Sequence, residues 1–333
     1  MASTFCIGID ISKLTLDVAV LKEGVLLLTH KIDNSEAAIR QLLIRLKSHH
    51  HSTAENTVFC AENMGIYGKF LVDVLAGKTF RLCLESPLQI KRSLGIQRSK
   101  SDLLDAIRIA EYVYKNEGTL KFRMPPRPPV QQLKTLTAIR KRLLKMIGML
   151  KNVKNVELHF LSAVNRKEVG GYSQATLAAI KSDIAVLEKE MAAIVKADDQ
   201  LRELVRLVMS VPHIGKTIAI QLVIITNEFR DFSCPKKFAS YCGIAPFTKT
   251  SGTSVNQRPK ISHIANKEMK TLLHMAALGS ALPGKSKSKF KSYYSRMVAS
   301  GKNRMSVLNA VRNKLVRVIF ACVREKRLYV EVE

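Results

Sequence analysis

Several scarcities limit what this chain can be. Apolar runs are short, and none approaches the roughly eighteen residues a membrane-spanning helix needs, so no transmembrane segment is expected. The first residues hold neither a basic n-region nor an apolar h-region, so no signal peptide is expected. The six cysteines (Cys6, Cys60, Cys83, Cys234, Cys242 and Cys322) form no CxxC pair and lie mostly in apolar runs. They read as buried free thiols in a reducing cytoplasm. The histidines are scattered, and the run His49-His50-His51 reads as a solvated loop, so no zinc site is expected. Acid is scarce beside base. The 333 residues carry 27 Asp+Glu against 54 Lys+Arg, a formal charge of +27. That excess exceeds what solubility needs and implies a polyanionic partner, nucleic acid before membrane.

Hydrophobic residues make up 47% of the chain, enough for a real core and for two or three domains. Residues 5–11 and 14–21 have strand character around a turn at Ser12-Lys13. In the second, Leu14, Leu16, Val18 and Val20 alternate with Thr15, Asp17 and Ala19, the pattern of a half-buried antiparallel strand. "GVLLLTHKI" extends this into a meander. A helix capped by Ser35, the buried strand "TVFCAEN", a short helix stopped by Gly77, the strand "FRLCLES" and the helix "SKSDLLDAIRIAEYVYKN" follow. This is a mixed α/β domain. The prolines of "MPPRPPV" predict a stiff extended linker.

Beyond the linker, Leu136, Leu143 and Leu150 recur every seven residues, with Ile139, Met146 and Val153 between them. Leu177, Ile184 and Met191, with Ile180, Leu187 and Ile194, repeat the pattern. Two such stretches joined at Gly170-Gly171 predict a helical hairpin or a coiled coil between subunits; an ordinary bundle core is the alternative. The first stretch is basic, with Lys134, Arg140, Lys141, Arg142, Lys145, Lys151 and Lys154 facing one acid, Glu157. From about residue 201, "SVPHIGKTIAIQLVIIT" sets a Pro-x-Ile-Gly turn before an apolar helix, a pattern that offers backbone amides and Lys216 to a phosphate. "FASYCGIAP" and the polar loop "FTKTSGTSVNQRPKIS" follow. Residues 281–327 hold thirteen basic residues and one acid, Glu325, interleaved with Phe290, Tyr293 and Tyr294, which suits a nucleic-acid backbone. Lys141, Arg142, Lys145, Lys216, Lys285, Lys287, Lys289 and Lys291 are the residues expected to grip it.

The carboxylates carry the chemistry. Asp10 interrupts the buried run "FCIGIDI", where an unpartnered charge is costly and calls for a partner or a metal. Glu62 ends a strand. Asp102 and Asp105 share one helix face near an N-terminus that Ser99 or Ser101 can cap, so helix-dipole compensation alone accounts for that pair. Taken together, four acids from two strands and a helix can converge on hard divalent cations, which prefer carboxylate oxygen and can hold a phosphodiester for displacement.

"IGIDISKLTLDV", "CAENMGIYG", "RSKSDLLDAIRIAE", "SVPHIGKTIA", "FASYCGIAP" and "TSGTSVNQRPKIS" occur in the order found in the DEDD-type serine transposases of bacterial insertion sequences. The chain resembles that insertion-sequence one-ten family, whose members are guided by a bridge RNA, over nearly its whole length. It departs from the family at His213, where a glycine is common.

The resemblance implies a RuvC-like (ribonuclease H fold) DEDD domain over 1–126 and a coiled-coil hairpin over 127–200. Residues 201–333 would form a mainly helical transposase domain. It implies that Asp10, Glu62, Asp102 and Asp105 bind Mg²⁺ or Mn²⁺, and that Ser251 is the nucleophile, with Thr253 and Ser254 close by. It further implies RNA-guided joining of donor and target double-stranded DNA through a phosphoserine intermediate. The enzyme would be a homodimer assembling to a tetramer, in the bacterial cytoplasm at the nucleoid. The rival readings are a RuvC-like metal-dependent junction nuclease that uses water, and a non-catalytic nucleic-acid-binding scaffold.

Overall fold

A computed structural model describes residues 4–331 except 94, 96–100, 123, 157–170, 252–254 and 282–287. The chain divides into two compact units, Met1–Pro125 and Pro126–Glu333.

The first unit is built on one mixed sheet. β1 (Phe5–Ile11), β2 (Thr15–Lys22) and β3 (Val25–Asp33) form an antiparallel meander. Glu23 and Gly24 take positive φ at the β2–β3 turn, which matches the strand twist. α1 (Glu36–His50) begins at Ser35, whose Oγ accepts from the Ala38 amide at 3.3 Å. The chain then adds β4 (Thr57–Glu62), α2 (Lys69–Ala76), β5 (Arg81–Glu85), α3 (Pro87–Ser93) and α4 (Asp102–Asn116). The strand order is β3-β2-β1-β4-β5, with β4 parallel to both β1 and β5.

Side-chain alternation assigns the two faces. Ile7, Ile9, Ile11, Leu16, Val18, Val20 and Phe59 pack against Ile39, Leu42, Leu71 and Leu75 of α1 and α2. Cys6, Ala19, Leu21, Val58, Cys60 and Cys83 pack against Ala106, Ile109, Ala110 and Val113 of α4. The expectation of a half-buried second strand is therefore corrected. β2 is buried on both faces because α4 covers the side that alternation alone assigned to solvent.

The second unit is mostly helical. It comprises α5 (Pro128–Val156), α6 (Gln174–Ala197), α7 (Asp199–Met209), α8 (Lys216–Ile225) and α9 (Pro235–Tyr241). The hairpin β6 (Pro246–Ser251) and β7 (Val255–Ile261) comes next. α10 (Lys267–Ala281), α11 (Lys289–Ala299) and α12 (Arg304–Glu325) complete it. The proline run is shorter as a linker than predicted. Pro128 and Pro129 already lie in the first turn of α5, where a missing amide costs no helical bond.

Arg127, just before α5, donates from Nε to Glu228 at 2.9 and 3.1 Å and from its Nη atoms to Asp198 at 2.7 and 3.0 Å. Val130, Leu133, Met191 and Val195 join one core with Leu201, Leu222, Phe238, Leu273, Val311 and Ile319. Within the heptad stretches, Leu177, Ile180 and Met191 are buried, whereas Ile139 and Met146 remain 38% and 47% exposed. Gly170 and Val153 fall outside the residues whose side chains are described.

Candidate active site: an acidic row and a serine hairpin

Strand register lines up carboxylates that are far apart in sequence. Asp10 stands opposite Asp17 across the β1–β2 pair. Ile9 stands opposite Ala61, so Asp10 is level with Glu62, and Glu62 is opposite Glu85. All four belong to the face that carries Cys6, Gly8, Cys60 and Cys83, the face covered by α4. Asp17, Asp10, Glu62 and Glu85 thus form a row across four neighbouring strands, at the carboxyl ends of β1, β4 and β5.

α4 lies directly on that face. A Cβ on Gly8 would fall 2.2 Å from both the Ala106 carbonyl oxygen and the Ala110 nitrogen, so only glycine permits this approach. Ser101 caps the helix, its Oγ accepting from the Leu104 amide at 3.3 Å, and Asp102 and Asp105 occupy the first turn. Ser99 lies outside the described residues.

The surroundings of Asp10 are electrostatically unfavourable to its charge. Burial first, then the charges of Asp102, Asp105 and Asp17, hold the Asp10 carboxyl above the usual aspartate range, and only the Ile11 amide acts the other way. The structure therefore brings Asp10, Asp102 and Asp105 into mutual electrostatic range, with Glu62 beside Asp10 by register. Some of this charge is offset. Arg108 pairs with Asp105 at 2.7 Å, and Lys31 reaches Asp17, itself 5% exposed, at 3.2 Å. The Tyr112 hydroxyl donates to Glu85 at 3.2 Å, and burial together with Glu85 pushes that phenol up to about 12.

Among the described residues no three of these acids already enclose an ion-sized space. The donor set still fits a hard divalent cation, being all carboxylate oxygen with Asp10 carrying an unfavourable like-charge environment. Sequence reasoning missed Asp17 and Glu85. Asp17 was legible as a charge inside a strand, and Glu85 as a second acid at a strand end.

Ser251 was expected in a polar loop. Its backbone instead closes the tip of the β6–β7 hairpin, where Ser251 pairs with Val255. The pairing extends back to Pro246 opposite Ile261. Thr253 and Ser254 lie outside the described residues. The hairpin root is firmly held. The side-chain amides of Asn309 and Asn313 on α12 both donate to the Ile244 carbonyl, at 2.8 and 2.9 Å. Gly243 adopts φ +63° with a virtual Cβ 2.4 Å from the Ala265 Cβ, and the Asn266 amide donates to the Tyr241 carbonyl at 2.8 Å.

The predicted basic contacts divide. Arg142, Lys145, Lys216 and Lys289 are exposed. Lys141 is engaged with Glu268 at 2.6 Å. Lys291 is partly buried, and Lys285 and Lys287 lie outside the described residues. The aromatics among the tail's basic residues are corrected. Phe290 is in the core, Tyr293 and Tyr294 pack against it, and Lys314 Nζ sits 4.4 Å from the Tyr293 ring centre. An amphipathic α11 turns those rings inward. His213 holds φ +61°, so it supplies the left-handed backbone usually left to glycine, and its ring packs against Gly279.

A sheet whose strand ends collect carboxylates under a capped helix, in a chain of net charge +27, fits a protein that acts on nucleic acid. Comparison with known proteins makes this specific. A transposase family model matches residues 7–157, and a model described as the transposase IS116/IS110/IS902 family matches residues 205–295. The pilin gene-inverting proteins of Moraxella lacunata and Moraxella bovis are 26% and 25% identical over 335 residues, covering 98% of this chain and 98% of each relative. An uncharacterized 43.6 kDa protein of insertion element IS110 from Streptomyces coelicolor is 27% identical over 157 residues, 46% of this chain and 36% of that protein. The chain belongs to the IS110 family of transposases, DNA recombinases that cleave and join DNA strands. Among the described residues no helix is long and apolar enough to cross a membrane.

Proposed function

We propose that this transposase is an RNA-guided recombinase that joins donor and target DNA through a phosphoserine intermediate on Ser251. The acidic row carries the reading. Four strand-borne acids and two helical ones concentrate negative charge in a protein of net charge +27. Arg108 and Lys31 offset part of that charge, and a bound cation would offset more.

Asp10, Glu62, Asp102 and Asp105 would hold Mg²⁺ or Mn²⁺ in a RuvC-like unit, with Asp17 and Glu85 flanking them. The bound cation would neutralise charge on the reacting phosphate and its leaving oxygen. Ser251 Oγ forms the new bond to phosphorus and gives up its proton. The 3′-oxygen leaves and takes one up. The phosphodiester energy is kept in the serine ester, and a 3′-hydroxyl of another strand then attacks it and releases Ser251.

The basic α5 surface at Arg142 and Lys145, and Lys216 at the start of α8, suit backbone contact with the guide RNA and DNA. The exposed seam positions Ile139 and Met146 suit a coiled coil with a second copy, within a dimer that pairs into a tetramer.

The test is strand cleavage with Mg²⁺ by Asp10→Asn and Asp105→Asn, beside sequencing of the RNA that co-purifies with the wild type. Both variants should lose cleavage and keep RNA binding, and a structured RNA from beside the gene should be recovered. Full cleavage in both variants removes the acids from the mechanism. Recovery of no discrete RNA removes the guide.

A further inference from the structure

Among the described residues, one buried arginine of the second unit meets no carboxylate. Arg312 lies on α12 and is 5% exposed. Its Nη2 stands 3.0 Å from Nδ1 of His274 on α10, and its buried Nε has no hydrogen-bond partner. Among the described residues no carboxylate pairs with it. Burial alone pulls the guanidinium below its ordinary range, and burial together with Arg312 does the same to the His274 imidazole. His274 is therefore held neutral and accepts the arginine N–H.

Other shielded guanidiniums of this unit have their acids. Arg127 has Glu228 and Asp198, Arg230 has Glu228, and Arg140 has Glu188. A buried cation without a counter-charge is strongly unfavourable, and an arginine kept in that state fits a site completed by an anion. Its place in the fold narrows which anion. One turn back on the same helix, Asn309 leaves its buried Oδ1 unpartnered, while the Nδ2 atoms of Asn309 and Asn313 hold the Ile244 carbonyl at the root of the serine hairpin. The unpaired guanidinium and the hairpin carrying Ser251 are fixed by adjacent positions of one helix turn.

We infer that Arg312, oriented by His274, is the anion-binding residue of the second unit and takes a phosphodiester of the strand that Ser251 handles. Nη2 is spent on His274 and Nε is buried, so a phosphate oxygen reaches the Nε donor only as the side chains over it move aside. This assignment rests on the serine-recombinase reading, and its test separates the two.

The full-length protein is melted in sodium phosphate and in sodium chloride of equal ionic strength, as wild type, Arg312→Met, Arg312→Lys and Ser251→Ala, and each is assayed for DNA strand cleavage. The wild type should melt higher in phosphate. Arg312→Met should lose that rise, melt no lower than wild type in chloride because an uncompensated charge is gone, and cleave on the order of 10²-fold more slowly. Arg312→Lys should keep part of both effects. A phosphate rise that survives in Arg312→Met places the anion elsewhere and overturns the inference. So does an Arg312→Met protein that melts well below wild type in chloride while Arg312→Lys does not, since the arginine then has a structural counter-charge. A phosphate rise lost in Arg312→Met with cleavage intact limits the site to free phosphate and overturns the strand assignment. Unchanged cleavage by Ser251→Ala sinks the serine reading alone, leaving the phosphate comparison to stand or fall by itself.

Discussion

Replacing Gly8 with alanine tests the contact that assembles the acidic row. The new methyl would sit 2.2 Å from the Ala106 oxygen and the Ala110 nitrogen and 2.9 Å from the Ala110 Cα. Ordinary carbon–oxygen contact is about 3.2–3.4 Å, so α4 must retreat by roughly 1 Å, because backbone atoms cannot rotate aside as a side chain does. Overpacking of this kind costs roughly 1–3 kcal/mol. For a unit of this size that is a fall of roughly 4–10 °C in its melting transition. The functional loss should be larger than the stability loss. α4 carries Asp102 and Asp105 in its first turn, and a shift of about 1 Å in reacting groups costs on the order of 10²-fold in rate. Calorimetry locates the transition, and strand cleavage measured well below it reports the rate of folded protein. A Gly8→Ala protein with wild-type melting and wild-type cleavage would refute the placement of α4 against β1.

Three other outcomes follow from the same geometry. In the metal-free protein, the raised Asp10 carboxyl makes ionisation costlier in the folded state than in the unfolded chain. Its contribution to stability is therefore greatest below the ordinary aspartate range and is lost as pH rises through the raised value. Asp10→Asn should accordingly be more stable than wild type at neutral pH, by a margin that closes in acid and shrinks when Mg²⁺ is added; pH-dependent melting of the two proteins checks it. Glu228→Ala should destabilise the second unit by roughly 1.5–3 kcal/mol, since Arg230 loses its carboxylate and Arg127 keeps only Asp198; denaturant unfolding reads this. Neutralising Arg142 and Lys145 should flatten the salt dependence of nucleic-acid binding by up to about 0.9 in log–log slope per lost contact, and Lys141→Gln should change it less because Glu268 already holds that lysine.

Much of the first unit was legible because its signals are local. The β-meander, the Ser35 cap, the Gly77 stop and the strand ending at Glu62 each follow from a few adjacent residues. The acidic row was legible only in part. Asp10 stood out as a charge in an apolar strand, whereas Glu62, Asp102 and Asp105 were unremarkable singly and joined it only in combination and through the family resemblance. Asp17 and Glu85 join them through register between strands tens of residues apart, which no local period encodes. The error on β2 has the same origin, since alternation reports two faces and cannot say that a distant helix covers the second. In the tail, Phe290 and Tyr293 looked like stacking surfaces because composition ignores helical phase. Asn309 and Asn313 gave no signal, since an asparagine on an amphipathic helix reads as polar surface until a carbonyl from another segment meets it.

The central claim is that Ser251 becomes covalently joined to DNA. Wild-type protein incubated with substrate DNA and Mg²⁺, then denatured and digested, should yield a nucleotide adduct on the peptide that contains Ser251. Ser251→Ala should yield none while still binding DNA. Cleaved DNA with no adduct on any serine would contradict the account and make water the attacking group.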